Sequence, residues 1–152
     1  MIEGLKVKKL QKFRDNRGWL METFRNDELP KGIKPVMSYV SMTKPGVVRG
    51  PHEHVHQADI FVFMGPGNFE LHLWDNRKNS KTYKEYLKIK VGEANPAQVV
   101  VPKGVVHGYK NISKKEAWCL NYPDKLYAGK NKEEKVDEIR HEADENSPFI
   151  IK

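Results

Sequence analysis

Turn-forming residues recur along this chain about every 8–12 residues, and this spacing most limits what the chain can fold into. The turn signals are Asn16-Arg17-Gly18, Pro30-Lys31-Gly32, Lys44-Pro45-Gly46, Gly65-Pro66-Gly67, Asp75-Asn76-Arg77, Asn95-Pro96 and Pro102-Lys103-Gly104. Gly and Pro interrupt helices, and segments of this length suit strands better. Many short strands joined by Gly/Pro turns are typical of an antiparallel sandwich or small barrel.

The segments between the turns have strand character. Residues 68–74 and 83–91 alternate apolar and polar side chains with period two, as half-buried strands do. The apolar runs at 60–64 and 117–120, and the segment 98–101 with three valines after Gln98, indicate short buried strands. Only 131–145 has a helical pattern, with Val136 and Ile139 as a thin apolar face. We expect one all-β domain over 1–152 with a short irregular or helical C-terminal tail.

Charge and composition narrow the function classes. The net charge is +7, but the lysines are scattered among acids and no nucleic-acid-binding motif is present. We therefore expect a solvated basic surface and no nucleic-acid partner, with help in holding a phosphate-bearing ligand as the alternative. No run approaches 18 apolar residues and the first residues lack a signal-peptide core, so we expect no membrane association. The single cysteine, Cys119, predicts no internal disulfide and a cytoplasmic location.

The segment 49–59 concentrates histidines beside an arginine. On an extended strand alternate residues share a face, so His52, His54 and His56 are expected to point the same way. Imidazoles lining a cavity suit proton transfer near neutral pH or metal ligation. A surface histidine cluster without a role is the alternative.

A second motif lies at 102–111 and reads Pro-x-Gly-x-x-His-x-x-x-Asn, with His107 as its histidine. Together with Gly46, His52, His54 and Asp59, it resembles the paired motifs of the cupin superfamily. The resemblance implies a cupin-type double-stranded β-helix, a jelly-roll barrel whose motif residues point inward.

Three segments also resemble the dTDP-4-dehydrorhamnose 3,5-epimerase family within the cupins. They are Asp15-Asn16-Arg17-Gly18-Trp19-Leu20-Met21-Glu22, Gly46-Val47-Val48-Arg49-Gly50-Pro51-His52 and Pro102-Lys103-Gly104-Val105-Val106-His107-Gly108-Tyr109. The resemblance implies a nucleotide-sugar site with no cofactor, in a homodimer used in polysaccharide biosynthesis.

The same resemblance assigns roles to the matching residues. Arg17 and Glu22 would bind the nucleotide part, often from the neighbouring subunit. Arg49 and His107 would contact the diphosphate or sugar, and His52 would be the base. These roles are chemically reasonable, because guanidinium groups bind phosphate oxygens bidentately and a positioned imidazole can remove a proton next to a ketone.

The chain also departs from the family pattern. Asp59 lies where the family has a lysine that steadies the enolate. Cys119 aligns with the family's acid, a tyrosine, so Tyr122 is the first candidate to replace it, with Tyr127 also near. The family's carboxylate partner for the base is expected to be missing from this shorter chain.

Three hypotheses follow. The first is an isomerase or epimerase of a nucleotide-linked 4-keto-6-deoxy-hexose, with His52 as base and His54 or Tyr122 carrying the second proton. Arg49-Gly50-Pro51-His52-Glu53-His54 is also similar to a segment of the sugar-nucleotide 3,4-ketoisomerases. The second is a metal-dependent cupin enzyme. Its divalent ion would be held by His52, His54, Asp59 and His107.

The third hypothesis is a non-catalytic protein that binds a nucleotide sugar.

Overall fold

Two five-stranded antiparallel sheets face each other in the computed structural model, which describes residues 1–152. The strands are β1 (Lys6–Lys9), β2 (Phe13–Asp15), β3 (Gly18–Leu20), β4 (Tyr39–Thr43), β5 (Val48–Glu53), β6 (Asp59–Phe63), β7 (Asn68–Asp75), β8 (Tyr86–Gly92), β9 (Ala97–Val101), β10 (Val105–Asn111), β11 (Ala117–Asn121) and β12 (Ile139–Arg140). The first sheet has the order β1-β9-β6-β11-β4 and the second β12-β5-β10-β7-β8, while β2 and β3 form a separate hairpin. This arrangement confirms the expected all-β, cupin-type jelly roll.

The core lies between the sheets and is rich in aromatic side chains. Phe61 and Phe63 of the first sheet pack against Phe69 and Tyr109 of the second, with ring centroids 5.3–6.0 Å apart. Strands β6 and β9 are buried on both faces, which explains why their sequences are mostly apolar rather than alternating, with Asp59 and Gln98 as the polar exceptions.

The outer face of the first sheet is covered by the segment that follows the β2–β3 hairpin. The side chain of Gln98 on β9 donates to the carbonyl oxygen of Thr23 at 2.8 Å. The rings of Phe24 and Tyr122 lie 4.9 Å apart on this face. Tyr122, the residue just after β11, therefore lies on this covered outer surface, and its neighbours in the strand point the other way, into the barrel.

Strands β4 and β5 are consecutive in the chain and belong to different sheets, so the turn between them crosses from one sheet to the other. Arg49 links the two strands, because its Nε donates to Thr43 Oγ1 at 3.0 Å and its Nη2 to the Met42 carbonyl at 2.7 Å. Several residues of these two strands are exposed, and we refer to this junction of β4 and β5 as the open side of the barrel.

The C-terminal tail is irregular, one of the two forms expected for it, and contains no α-helix. It has two short 3₁₀ helices, Lys130–Lys132 and His141–Ala143, on either side of β12. Strand β12 pairs with β5, with Ile139 opposite Glu53 and Arg140 opposite His52. The tail extends because this pairing uses its backbone hydrogen bonds, whereas two apolar residues offer too little burial to hold a helix. No helix in the protein has the length and apolar character needed to span a membrane.

Candidate active site

Four side chains that could take part in chemistry meet inside the barrel. They are His52 on β5, His54 just after it, Asp59 at the start of β6 and His107 on β10, and their donor atoms all lie within 4.8 Å of one another. His52 and His107 are directly opposite in the β5–β10 pairing, with ring centroids 4.5 Å apart. The two sequence motifs, separated by about 50 residues, are thus brought together as expected of adjacent antiparallel strands.

Two of the imidazoles are held by main-chain carbonyls. The Nδ1 atom of His107 lies 3.0 Å from the Val105 carbonyl oxygen, and Nδ1 of His54 contacts the carbonyl oxygen of Asp137. Since a carbonyl only accepts, each Nδ1 carries a proton and donates it. The Nε2 atoms of His54 and His107 are therefore turned toward Asp59 Oδ2, at 3.1 and 3.3 Å.

Asp59 is almost completely buried, with 1% of its surface exposed. Its Oδ1 accepts hydrogen bonds from Gln57 Nε2 at 3.0 Å and Asn121 Nδ2 at 2.8 Å. Burial raises the pKa of Asp59, but its contacts with His107 and His54 outweigh burial and hold that pKa well below the usual range. Burial likewise lowers the pKa of His54, and the contact with Asp59 overrides it and raises the pKa to about 9. The cluster thus contains a buried ion pair.

His52 has a different environment. Burial, together with the neighbouring His107 and His54, lowers the pKa of His52 to about 2. Its Nε2 lies 3.8 Å from Glu138 Oε1, a residue of the tail next to β12. The expectation that the base lacks a carboxylate partner is therefore wrong. His52 is neutral at pH 7, so its imidazole is able to accept a proton, and a carboxylate lies beside it.

His56 does not join the other histidines. Strand β5 ends at Glu53 and the chain bends at residues 55–56, so His56 is exposed. The Asp137 carboxylate holds this bend by accepting the backbone N–H groups of Val55, His56 and Gln57 at 2.8–2.9 Å. The three histidines therefore do not share one face as expected: His52 and His54 point into the barrel, whereas His56 points outward. The sequence does not show this bend, because its anchor is about 80 residues away in the chain.

Arg49 and Tyr122, predicted from the sequence for phosphate binding and catalysis, lie on different parts of the barrel. Arg49 is at the open side of the barrel, on the same strand as the base. Tyr122 is on the outer face of the first sheet, where its hydroxyl is 3.3 Å from Thr23 Oγ1. The preceding residue, Asn121, points inward to Asp59, so alternation turns Tyr122 away from the histidines. The expectation that Tyr122 replaces the acid conflicts with this placement. Cys119 is buried on the inward face.

Arg17 and Glu22 lie on and just after the β2–β3 hairpin, away from the histidines of this chain. Arg17 is exposed and pairs with Asp15 at 2.6 Å, and Glu22 lies 3.6 Å from Arg25. The hairpin also exposes apolar side chains, with Phe13 50%, Trp19 49% and Leu20 63% accessible. Within one chain, neither Arg17 nor Glu22 belongs to the histidine site.

Sequence reasoning missed several residues of the site. Glu138 and Asp137 carried no motif, and Gln57 and Asn121 gave no signal beyond being polar residues beside apolar runs. Tyr39 is also at the site, where its hydroxyl oxygen is 2.8 Å from Asn121 Nδ2. Only the strand pairing of β4 with β11 brings Tyr39 and Asn121 together.

The cluster has the donor types of a divalent transition-metal site. Imidazole nitrogens and a carboxylate oxygen converge, and metal-ligating histidines usually donate their other ring N–H to a carbonyl, as His54 and His107 do. Asp59 Oδ2 and His107 Nε2 are buried and make no hydrogen bond of good geometry, although the Nε2 atoms of His54 and His107 approach Asp59 Oδ2 at 3.1 and 3.3 Å. These residues fit such an ion.

Comparison with known proteins shows which family this chain belongs to. The family model described as dTDP-4-dehydrorhamnose 3,5-epimerase matches residues 1–140. The chain is 39% identical over 127 residues to the probable low-salt glycan biosynthesis epimerase Agl13 of Haloferax volcanii, covering 83% of this chain and 81% of that protein. It is 35% identical over 137 residues to the spore coat polysaccharide biosynthesis protein SpsL of Bacillus subtilis, covering 89% and 88%.

The fold agrees with these matches. A crystal structure of a dTDP sugar isomerase from Desulfovibrio desulfuricans superimposes with a TM-score of 0.84 at 20% identity, covering 98% of this chain and 91% of the other. With a jelly-roll barrel, an inward-facing His52 and a family match over most of its length, the chain belongs to the dTDP-4-dehydrorhamnose 3,5-epimerase family of sugar-nucleotide epimerases.

Proposed function

We propose that this protein epimerises or isomerises a nucleotide-linked 4-keto-6-deoxy-hexose, with dTDP as the nucleotide, by removing a proton next to the ketone. The observation that supports this most directly is the neutral His52, facing the barrel interior with the Glu138 carboxylate 3.8 Å from its Nε2. A carboxylate beside the imidazole stabilises the imidazolium that forms when the base takes a proton. Family membership supports the substrate class.

The remaining site residues are proposed to hold the ligand and the charge. Arg49, at the open side, presents a guanidinium to the diphosphate or sugar. His107 and the charged His54 line the cavity beside the base, and the positive charge of His54 is proposed to stabilise the oxyanion that forms when the proton leaves. Here the charged His54 supplies the positive charge that a lysine supplies in the family pattern, while Asp59 holds that charge in place.

The nucleotide-binding role of Arg17 and Glu22 is proposed to operate across a homodimer. In this chain both residues are exposed and lie away from the histidines, whereas Phe13, Trp19 and Leu20 leave apolar surface uncovered on the same hairpin. Covering this surface with a second copy would bury the apolar side chains. The cytoplasmic location expected from the single cysteine stays a prediction.

Deuterium wash-in tests the proposal. The protein is incubated in heavy water with dTDP-4-keto-6-deoxy-glucose, and NMR follows the hydrogens on the carbons next to the ketone. We expect exchange with the wild type and with the exposed His56→Asn variant, and a loss of at least about 100-fold with His52→Asn. Absence of exchange in the wild type, with dTDP binding retained in calorimetry, would instead favour a non-catalytic nucleotide-sugar-binding protein.

A second candidate function is that of a metal-dependent enzyme. It is favoured by Asp59 Oδ2 and His107 Nε2, two buried atoms that make no hydrogen bond of good geometry. Together with His52 and His54 they would hold a divalent ion, which would act as a Lewis acid on a substrate oxygen. Plasma mass spectrometry of the purified, untagged protein tests this. A near-stoichiometric transition metal that His107→Ala abolishes would replace the metal-free proposal.

A further inference from the structure

Tyr39 presents its hydroxyl group to the inside of the barrel. It is the first residue of β4, an edge strand, and pairs with Asn121 on β11. Alternate residues of β4 share this inner face, since the Ser41 hydroxyl lies 3.0 Å from the Tyr109 hydroxyl in the core. Along this face the residues become more accessible, from Thr43 at 2% to Tyr39 at 46%. Tyr39 therefore stands where the barrel interior meets solvent.

The phenol proton of Tyr39 is free to be donated to a ligand. Asn121 Nδ2 lies 2.8 Å from both Asp59 Oδ1 and the Tyr39 hydroxyl oxygen. Because the ionised carboxylate only accepts, the amide must turn its NH₂ group toward Asp59, and the same NH₂ group donates to Tyr39. The phenol oxygen is thus an acceptor in this bond, and its own O–H is directed elsewhere.

Tyr39 and His52 come from opposite sheets at the same end of the barrel. Arg49 on β5 is tied to Thr43 on β4, which aligns the two strands at that point. From this tie, Tyr39 is four residues along β4 and His52 three residues along β5, or about 13 and 10 Å at the rise of a strand. A sugar ring bound between the sheets would therefore have His52 on one face and Tyr39 on the other.

The surroundings of Tyr39 keep it protonated. Burial raises its pKa to about 12, and the negative charge of Asp59 contributes to the shift, as does that of Glu138 to a smaller extent. At neutral pH the phenol is therefore in the form that an acid needs. The other tyrosine on the inner face, Tyr109, is 6% exposed and its hydroxyl contacts Ser41, so it is less accessible to a ligand.

We propose that Tyr39 is the catalytic acid, delivering a proton to the face of the sugar opposite His52; this assignment rests on the proposed function. His52 takes the proton from the carbon next to the ketone, and the C–H electron pair passes into the enolate. The Tyr39 O–H bond then breaks and its proton bonds to that carbon from the opposite side. Water reprotonates the phenolate, and the His52 imidazolium returns its proton to water, so no net charge remains.

The test separates proton removal from inversion. Tyr39→Phe is compared with the wild type and with Tyr83→Phe, a control at a tyrosine outside the site. All are incubated with dTDP-4-keto-6-deoxy-glucose in heavy water, and NMR measures deuterium incorporation and the configuration at each exchanging carbon. We expect Tyr39→Phe to retain exchange through His52, because the enolate can be reprotonated from the same face. Inversion should fall by about 100-fold or more.

Each other outcome overturns a specific claim. Inversion by Tyr39→Phe within about threefold of the wild type would remove Tyr39 from the acid role. Loss of exchange and inversion together, with an unchanged melting temperature, would show that Tyr39 binds or positions the substrate instead. If the wild type itself shows no exchange, the proposed function fails first and the assignment fails with it.

Discussion

Glu138 Oε1 lies 3.8 Å from Nε2 of His52, although the two residues are 86 positions apart in the chain. The tail reaches the base because β12 pairs with β5 and sets Arg140 opposite His52. The same segment supplies Asp137, which holds the bend after β5 and contacts His54. Residues 137–140 of the tail thus lie against both inward-facing histidines of the first motif, His52 and His54.

We expect Glu138→Gln to lower kcat by about 10- to 100-fold with little change in KM. At 3.8 Å the two groups form no hydrogen bond in the resting state, and they become an ion pair only after His52 takes the proton. If the contact then closes to a hydrogen bond with the charged imidazolium, it contributes about 1.5–3 kcal/mol. Steady-state kinetics measure the effect, with the exposed Glu142→Gln in the same tail as control. An unchanged kcat for Glu138→Gln would mean that the carboxylate plays no part in the proton transfer.

Replacing Asp137 with alanine should release the bend at residues 55–57. Three backbone N–H groups would lose their acceptor, so we expect the free energy of unfolding to fall by about 2 kcal/mol and the activity to fall with it. Urea denaturation measures the stability, and Lys135→Ala, an exposed neighbour, serves as the matched control. Equal stability of the two variants would contradict the anchoring role.

The carboxylate of Asp75, at the end of β7, leads us to expect that the free energy of unfolding depends on pH. Asp75 is buried and accepts from the Arg77 guanidinium and the Ser80 and Thr82 hydroxyls at 2.6–2.8 Å. Burial raises its pKa, but these bonds, led by that from Arg77, outweigh burial and hold the pKa well below the usual range. A lowered folded-state pKa contributes stability above the unfolded value of about 4, and this stability is lost as pH falls toward the folded value.

Unfolding in urea between pH 7 and pH 2.5 tests this expectation. We expect the wild type to lose on the order of 2 kcal/mol through Asp75 as the solution is acidified. Asp75→Asn should be less stable at pH 7 and should show a weaker pH dependence. The same slope in both proteins would show that other carboxylates cause the acid sensitivity.

The proposed dimer makes a prediction about complementation. If Arg17 of one subunit completes the site that contains His52 of the other, Arg17→Ala and His52→Asn should each be inactive alone. Co-expressed in equal amounts, half of the dimers are mixed and each has one intact site, so about a quarter of the wild-type activity should return. No recovery, with native mass spectrometry showing mixed dimers, would place Arg17 and His52 in the same subunit's site or remove Arg17 from it.

Local patterns in the sequence were sufficient to predict the strand-forming segments and to identify the two motifs. Turn residues and period-two alternation act over a few neighbouring residues, so the strands near 60–64, 68–74 and 117–120 were visible in the chain. That His52 and His107 face inward was implied by the resemblance to the cupin motifs and not by alternation alone. Alternation is a property of the pleat, and tertiary contacts had to pair the strands and decide which face is buried.

Tertiary structure decided the rest of the site. His56 turns outward because Asp137, far along the chain, accepts the backbone N–H groups at the bend. Tyr122 faces outward and Tyr39 inward because β11 pairs with β4 in a register that directs Asn121 toward both Asp59 and Tyr39. Such hydrogen bonds join segments that no local pattern relates, and a shift of one residue in register would exchange the two faces of the strand.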